Sequence, residues 1–143
     1  MQQTERSEVV TQVLTFEVGG SVYAFDILDV TDIIELTKTT YIPKVPEYIK
    51  GVINHRGRVI PIIELAVRFD AGQPEYTSQA CIIIANISNV QVGFIAEKIG
   101  DAINVTASDF TPSPNRENGF VTDIISVSDR NILLLDSAKI IDY

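Results

Sequence analysis

Apolar and polar residues alternate over short stretches, and no segment sustains helical spacing for long. Val13–Val18 puts Leu14, Phe16 and Val18 on one face. Gly19-Gly20 interrupts, and Val22–Ile27 resumes with Tyr23, Phe25 and Ile27 aligned. Two alternating runs joined by Gly-Gly predict a β-hairpin. Ile27–Leu36 fits a helical turn through Ile27, Val30 and Ile34, and a strand through Val30, Ile34 and Leu36. It reads as a short irregular turn leading into a strand. Pro43 and Pro46 mark 37–48 as a connector.

The chain is organised around Gly51–Phe69, GVINHRGRVIPIIELAVRF. The apolar approach Gly51-Val52-Ile53 stops at the polar tip Asn54-His55-Arg56-Gly57, and Val59–Ile63 is apolar throughout. Gly accepts the positive φ that a tight reversal needs. A run without a polar face predicts a strand covered on both sides, with Pro61, which has no N–H, at a bulge or on the edge side of the pairing. Arg56 then stands on a charged fingertip held by a buried hairpin. Glu64–Phe69 carries helix formers, and 70–78, with Gly72 and Pro74, reads as an exposed link.

The second half repeats this grammar. Ala80–Ile87, Val90–Ala96 and Ile99–Val105 are strand-like, and 106–119 is loop-like. Phe120–Val127 and Asn131–Leu135 form another hairpin through Ser128-Asp129-Arg130, and Asp136 offers an N-cap for a final helical turn over Ser137–Ile141. Phe25-x4-Val30-x-Asp32-x-Ile34 matches Phe94-x4-Ile99-x-Asp101-x-Ile103, and Ile60–Glu64 matches Ile132–Asp136. Both matches lie roughly 70 residues apart, a shared period that points to two copies of one unit. The expectation is an all-β chain of two small barrels with short helical turns. It forms a single domain over 12–142, with residues 1–11 as a flexible polar arm.

Composition narrows the function. The net charge of −8 argues against a nucleic-acid partner or an anionic membrane surface. The single cysteine, Cys81, excludes an internal disulfide, and beside Ile82-Ile83-Ile84 it reads as a small buried hydrophobe. No apolar stretch is long enough to span a bilayer and the N-terminus has no signal-peptide core, so a cytoplasmic protein without direct membrane insertion is expected. The lone His55 has no nucleophile context and too few Cys or His partners for a metal, and reads as a solvated turn residue. Asp26, Asp29, Asp32 and Glu35 lack calcium-loop spacing and read as a solvated face. No phosphate loop is present. No enzyme constellation, cofactor or metal is therefore expected. Arg56 carries the most weight, because an arginine on a rigid support reaches carboxylates or carbonyls at low entropic cost.

The stretch from Ile49 to Leu65, IKGVINHRGRVIPIIEL, resembles the signature of the CheW family of chemotaxis coupling proteins, approximately I-x-G-V-x-N-L-R-G-x-V-[IV]-P-[VI]-[IVL]-[DEN]-L. Leu14-Thr15-Phe16, Tyr23–Ile27 and Val90–Phe94 agree as well, so the likeness covers about Val13 to Ile141. His55 departs from it, standing where the family usually has Leu. The resemblance implies two SH3-like five-stranded β-barrel lobes with a groove between them, and no catalysis. It implies an adaptor coupling transmembrane methyl-accepting chemoreceptors to the histidine kinase CheA. The kinase's regulatory domain would pack barrel against barrel, and the receptor's cytoplasmic helical tip would lie in the groove. Carried over by motif, Gly51, Asn54, Arg56 and Gly57 are receptor-binding, with Val30 and Asp32 near them; no kinase-binding residue is assigned. A chain ending at Tyr143 leaves no space for an attached receiver or kinase domain, so a stand-alone coupler is expected. The alternative is another small β-barrel module binding proteins or single-stranded nucleic acid.

Overall fold

A computed structural model describes residues 10–117 and 119–141. Most of the expected arm, residues 1–9, lies outside the described residues, and Thr11 already belongs to the first strand. The described residues form eleven strands: β1 Thr11–Val18, β2 Ser21–Asp26, β3 Val30–Glu35, β4 Ile49–His55, β5 Arg58–Glu64, β6 Cys81–Ile87, β7 Val90–Ala96, β8 Lys98–Val105, β9 Phe110–Pro112, β10 Val121–Val127 and β11 Arg130–Leu135. Two short helices, α1 Leu65–Arg68 and α2 Ser137–Ile141, follow β5 and β11, and 3-10 turns precede β3 and β9. The irregular turn expected before β3 is the 3-10 turn Ile27–Asp29, capped by Asp26, whose Oδ1 accepts from Leu28 N at 3.0 Å. Asp136 caps α2 as expected, accepting from Ala138 N at 3.0 Å.

The strands form two sheets, in the orders β8-β1-β2-β11-β10-β9 and β3-β6-β7-β5-β4. The two lobes therefore exchange strands. The opening hairpin β1–β2 belongs to the sheet completed by β8–β11, whereas β3–β5 join β6–β7. Each exchange is made by one parallel pair, β5 beside β7 (Ile62↔Gly93) and β11 beside β2 (Leu134↔Ala24). These pairs are equivalent under the internal repeat, because Ile62 aligns with Leu134 and Gly93 with Ala24. The degenerate sequence match thus reflects a real duplication of one folding unit.

Three apolar clusters hold the lobes. One lobe interior is almost pure isoleucine: Ile53, Ile60, Ile62, Ile82, Ile84 and Ile95. The other gathers Val13, Ala24, Val105, Ile125 and Ile132. The largest cluster joins the outer faces of both sheets, with Phe16 and Phe25 of one lobe meeting Phe94 of the other; Phe25 lies 5.1 Å from Phe16 and 5.0 Å from Phe94 between ring centroids. Burying such side chains contributes about 2–3 kcal/mol each, so this seam is a principal source of stability. The centre of the inter-lobe space is packed core. Cys81 lies within it as the buried hydrophobe expected, and burial pushes its thiol up to about 11.

Four features differ from the sequence reading. Val59–Ile63 is not covered on both sides throughout: Val59 is exposed, because the β4–β5 tip projects beyond the lobe. Pro61 sits in an interior strand and away from the β4–β5 irregularity at Ile49/Gly51; its missing N–H is tolerated because pairing with β7 begins only at Ile62. The segment 106–119 contains β9, a three-residue strand on β10, too short to carry a period-2 signal. The exposed link after α1 is pinned at Tyr76, whose hydroxyl donates to Glu64 Oε2 at 2.6 Å.

Candidate functional site

The β4–β5 hairpin closes through Arg56 and Gly57, both at positive φ (54° and 80°). This is the two-residue reversal that suits the right-handed twist of paired strands, and it favours Asn or Gly. Gly19-Gly20 follows that preference fully and Ser88-Asn89 in part, while Ser128-Asp129 meets the turn with short polar residues. An arginine in the left-handed region costs about 1–2 kcal/mol, so local turn preference does not account for Arg56. Asn54 supports the turn, its Oδ1 accepting from Gly57 N at 3.2 Å.

Opposite the tip stands Asp32. Its Oδ2 accepts from His55 Nε2 at 2.8 Å and lies 3.4 Å from Arg56 Nη2, and its Oδ1 accepts from Ile33 N at 2.9 Å. The His55 hydrogen bond, helped by the Ile33 N–H and by Arg56, holds the Asp32 carboxyl below the usual carboxylate range. His55 is thus no solvated turn residue, since only 20% of its side chain is exposed and the ring is committed to Asp32. Nor is Asp32 part of a merely solvated face. β3 and β4 are the outer strands of their sheet, so the Asp32–His55 bond joins its two edges and closes the barrel at one end.

That closure shapes a polar mouth of about 440 Å3. Every strand of the lobe supplies it: Asp32 from β3, His55 from β4, Arg58 from β5, Asn86 from β6 and Gln91 from β7. Thr31, Arg56 and Asn89 complete the lining. Barrel mouths are favoured places for recognition. Sequence reasoning missed Arg58, Asn86, Asn89 and Gln91, because they converge only once the sheet curls.

The residues expected at a receptor site divide into three groups. Asp32 and Arg56 meet, and Asn54 and Gly57 shape the same turn. Val30 opens β3 half-buried, its side chain packed against the inter-lobe cluster. Gly51 is buried at the far end of β4, where a Cβ would overlap the Thr40 carbonyl oxygen. Its φ of 154° lets Thr40 and Val52 exchange two hydrogen bonds, at 2.8 and 2.9 Å. The mouth belongs to one lobe alone.

The family model for the CheW-like domain matches residues 12–143. The chain belongs to the CheW family. It is 31% identical over 133 residues to the chemotaxis protein CheW of Thermotoga maritima, covering 92% of this chain and 87% of that protein. It is 30% identical over 132 residues to the CheW of Klebsiella aerogenes, covering 90% and 80%. The scaffolding protein TtCheW of Thermoanaerobacter tengcongensis superposes with a TM-score of 0.84 at 29% identity, covering 90% of both chains. The fold is accordingly all-β with two SH3-like lobes, and the protein is a non-catalytic chemotaxis adaptor. Among the described residues no helix is long and apolar enough to cross a membrane.

Proposed function

We propose that this CheW-family chain couples methyl-accepting chemoreceptors to the histidine kinase CheA, from the cytoplasmic side of the membrane, as one domain spanning 12–142. The β4–β5 tip is its receptor-facing element. The observation that carries this reading is Arg56. It is 78% exposed, held at an unfavourable φ, and raised on a hairpin whose base is packed into the isoleucine core. Strain kept at an exposed tip points from geometry to binding. Asp32, His55 and Asn54 orient the tip from beneath, and Gly57 completes the reversal. Gly51 and Val30 act from further away, fixing the root of β4 and the start of β3.

A receptor tip is a helical hairpin, and its polar groups would meet the guanidinium while apolar residues lie alongside. The kinase regulatory domain would occupy a separate surface, so the adaptor links receptor state to kinase state by differential contacts on two faces. Pull-down of a receptor signalling fragment and of the kinase regulatory domain tests both halves. With Arg56→Ala, receptor capture falls and kinase capture persists. Wild type that captures neither partner overturns the coupling reading.

A further inference from the structure

The barrel mouth holds charge that the tip does not use. Asp32 is committed to His55 and Arg56. Arg58, paired with His55 across the β4–β5 hairpin, makes no ion pair or side-chain hydrogen bond among the described residues, and neither do the side chains of Asn86, Asn89 and Gln91, which line the same mouth. In a chain with 19 acidic and 11 basic residues, two arginines thus line one small mouth against a single aspartate. Arg56 and Arg58 against Asp32 leave one positive charge uncompensated, beside a set of side-chain amide donors.

We propose that this mouth is a carboxylate pocket, in which Arg58, with the amides of Asn86, Asn89 and Gln91, receives an acidic side chain of the bound partner. The inference rests on the receptor-facing reading and adds the chemistry of the contact. One net positive charge matches one carboxylate; a phosphate dianion would leave excess negative charge against Asp32. A guanidinium fork fits a carboxylate with two parallel hydrogen bonds.

The rim argues for a protein ligand over a free metabolite. Val59 and Val90 are 68% and 52% exposed. The parallel register Ile62↔Gly93 sets them level on adjacent strands, and they flank a second hollow that shares Arg58, Asn89 and Gln91 with the mouth. An acidic residue followed on the same helical face by an apolar one would satisfy both features.

Two measurements test this. The isotope-labelled full chain is titrated with N-acetyl-glutamate N-methylamide, with the glutamine analogue as control, and followed by NMR. The side-chain amides of Asn86 and Asn89 shift saturably with the glutamate and not with the glutamine, and Arg58→Gln abolishes the response. Separately, Arg58→Gln raises the Kd of a receptor signalling fragment about tenfold, the loss expected for one charged hydrogen-bonded contact. No glutamate-specific shift, or an unchanged fragment Kd in Arg58→Gln, overturns the pocket. A wild-type response to the glutamate without any binding of the fragment supports the pocket and overturns the receptor reading. Arg58 is exposed, so Arg58→Gln leaves the fold intact and the comparison interpretable.

Discussion

Gly51→Ala separates a structural glycine from a contact residue. Gly51 lies where β4 and β5 first pair irregularly, between Ile49 and Gly51, and its φ of 154° falls where L side chains rarely go. An added Cβ meets the Thr40 carbonyl oxygen, so the connector must retreat and both Thr40–Val52 hydrogen bonds are lost. Two hydrogen bonds at a net of about 1 kcal/mol each and one disfavoured backbone conformation at about 1–3 kcal/mol sum to about 3–5 kcal/mol. For a domain stable by about 5–15 kcal/mol, that is a large fraction. With an m value of about 2 kcal/mol per molar urea, the unfolding midpoint falls by about 1.5–2.5 M with m unchanged. Partner capture then declines for receptor and kinase alike, in step with the folded fraction. A midpoint within about 0.5 M of wild type would refute the backbone argument. Selective loss of receptor capture at unchanged stability would make Gly51 part of the contact surface.

Arg56→Asn replaces the strained residue with one that tolerates the left-handed region. It raises stability by about 0.5–1 kcal/mol in thermal unfolding while receptor capture falls; the exposed Arg56–Asp32 pair offers little to set against that gain. Asp32 is held ionised, so the support it gives the fold is present above the unfolded-state carboxylate pKa and is lost as pH falls through its lower folded-state value. An NMR titration of its carboxyl carbon places the midpoint below the ordinary carboxylate range, and His55→Leu moves it upward. Cys81, with its thiol pushed up to about 11 in the inter-lobe core, resists alkylation by iodoacetamide at pH 8 until denaturant opens the seam. Cutting the chain in the link after α1 gives fragments that are each unfolded alone and regain the native circular dichroism when mixed, because both parallel pairs join the two halves. A cooperative unfolding transition in either isolated fragment counts against that.

Local elements were legible because local chemistry sets them. Period-2 alternation marked β1, β2 and β7, and Asp136 announced α2. The repeat was readable through Phe25 and Phe94, which occupy the same place in their units. What escaped were contacts between distant positions. Nothing near Thr11 signals its partner Val105, and nothing near Leu134 signals the parallel strand at Ala24. The exchange of strands is therefore invisible to periodicity. His55 was misread for the same reason, since its partner Asp32 lies across a closure that exists only after the five strands curl. Its polarity beside Arg56 suggested solvent, whereas the folded chain uses it to join two edges. Val59 failed in the opposite sense: an apolar run implies burial only while the strand stays inside the lobe.

The duplication supplies an internal control for the site. The two units place equivalent small residues, Gly93 and Ala24, beneath Ile62 and Leu134 where strands cross between lobes, so the fold constrains both crossings alike. At the tips they diverge. Continuing the alignment of β5 with β11 backward sets His55-Arg56-Gly57-Arg58 against Val127-Ser128-Asp129-Arg130. Both tips turn with two residues at positive φ. Ser128 and Asp129 meet that demand with short polar side chains, and Val127 packs against its lobe's apolar interior where His55 reaches Asp32. The same scaffold therefore closes with Val127 and Ser128 where the first copy has His55 and Arg56, while Arg58 and Arg130 coincide. Asp101 aligns with Asp32 but has no His55 equivalent to hold; its backbone carbonyl, not its carboxylate, accepts from the Thr15 hydroxyl at 2.8 Å. The fold requires a hairpin at each place, not the Asp32–His55–Arg56 cluster. A feature that one copy carries at the expense of turn preference, and the other copy folds without, fits the receptor-facing role proposed for this tip.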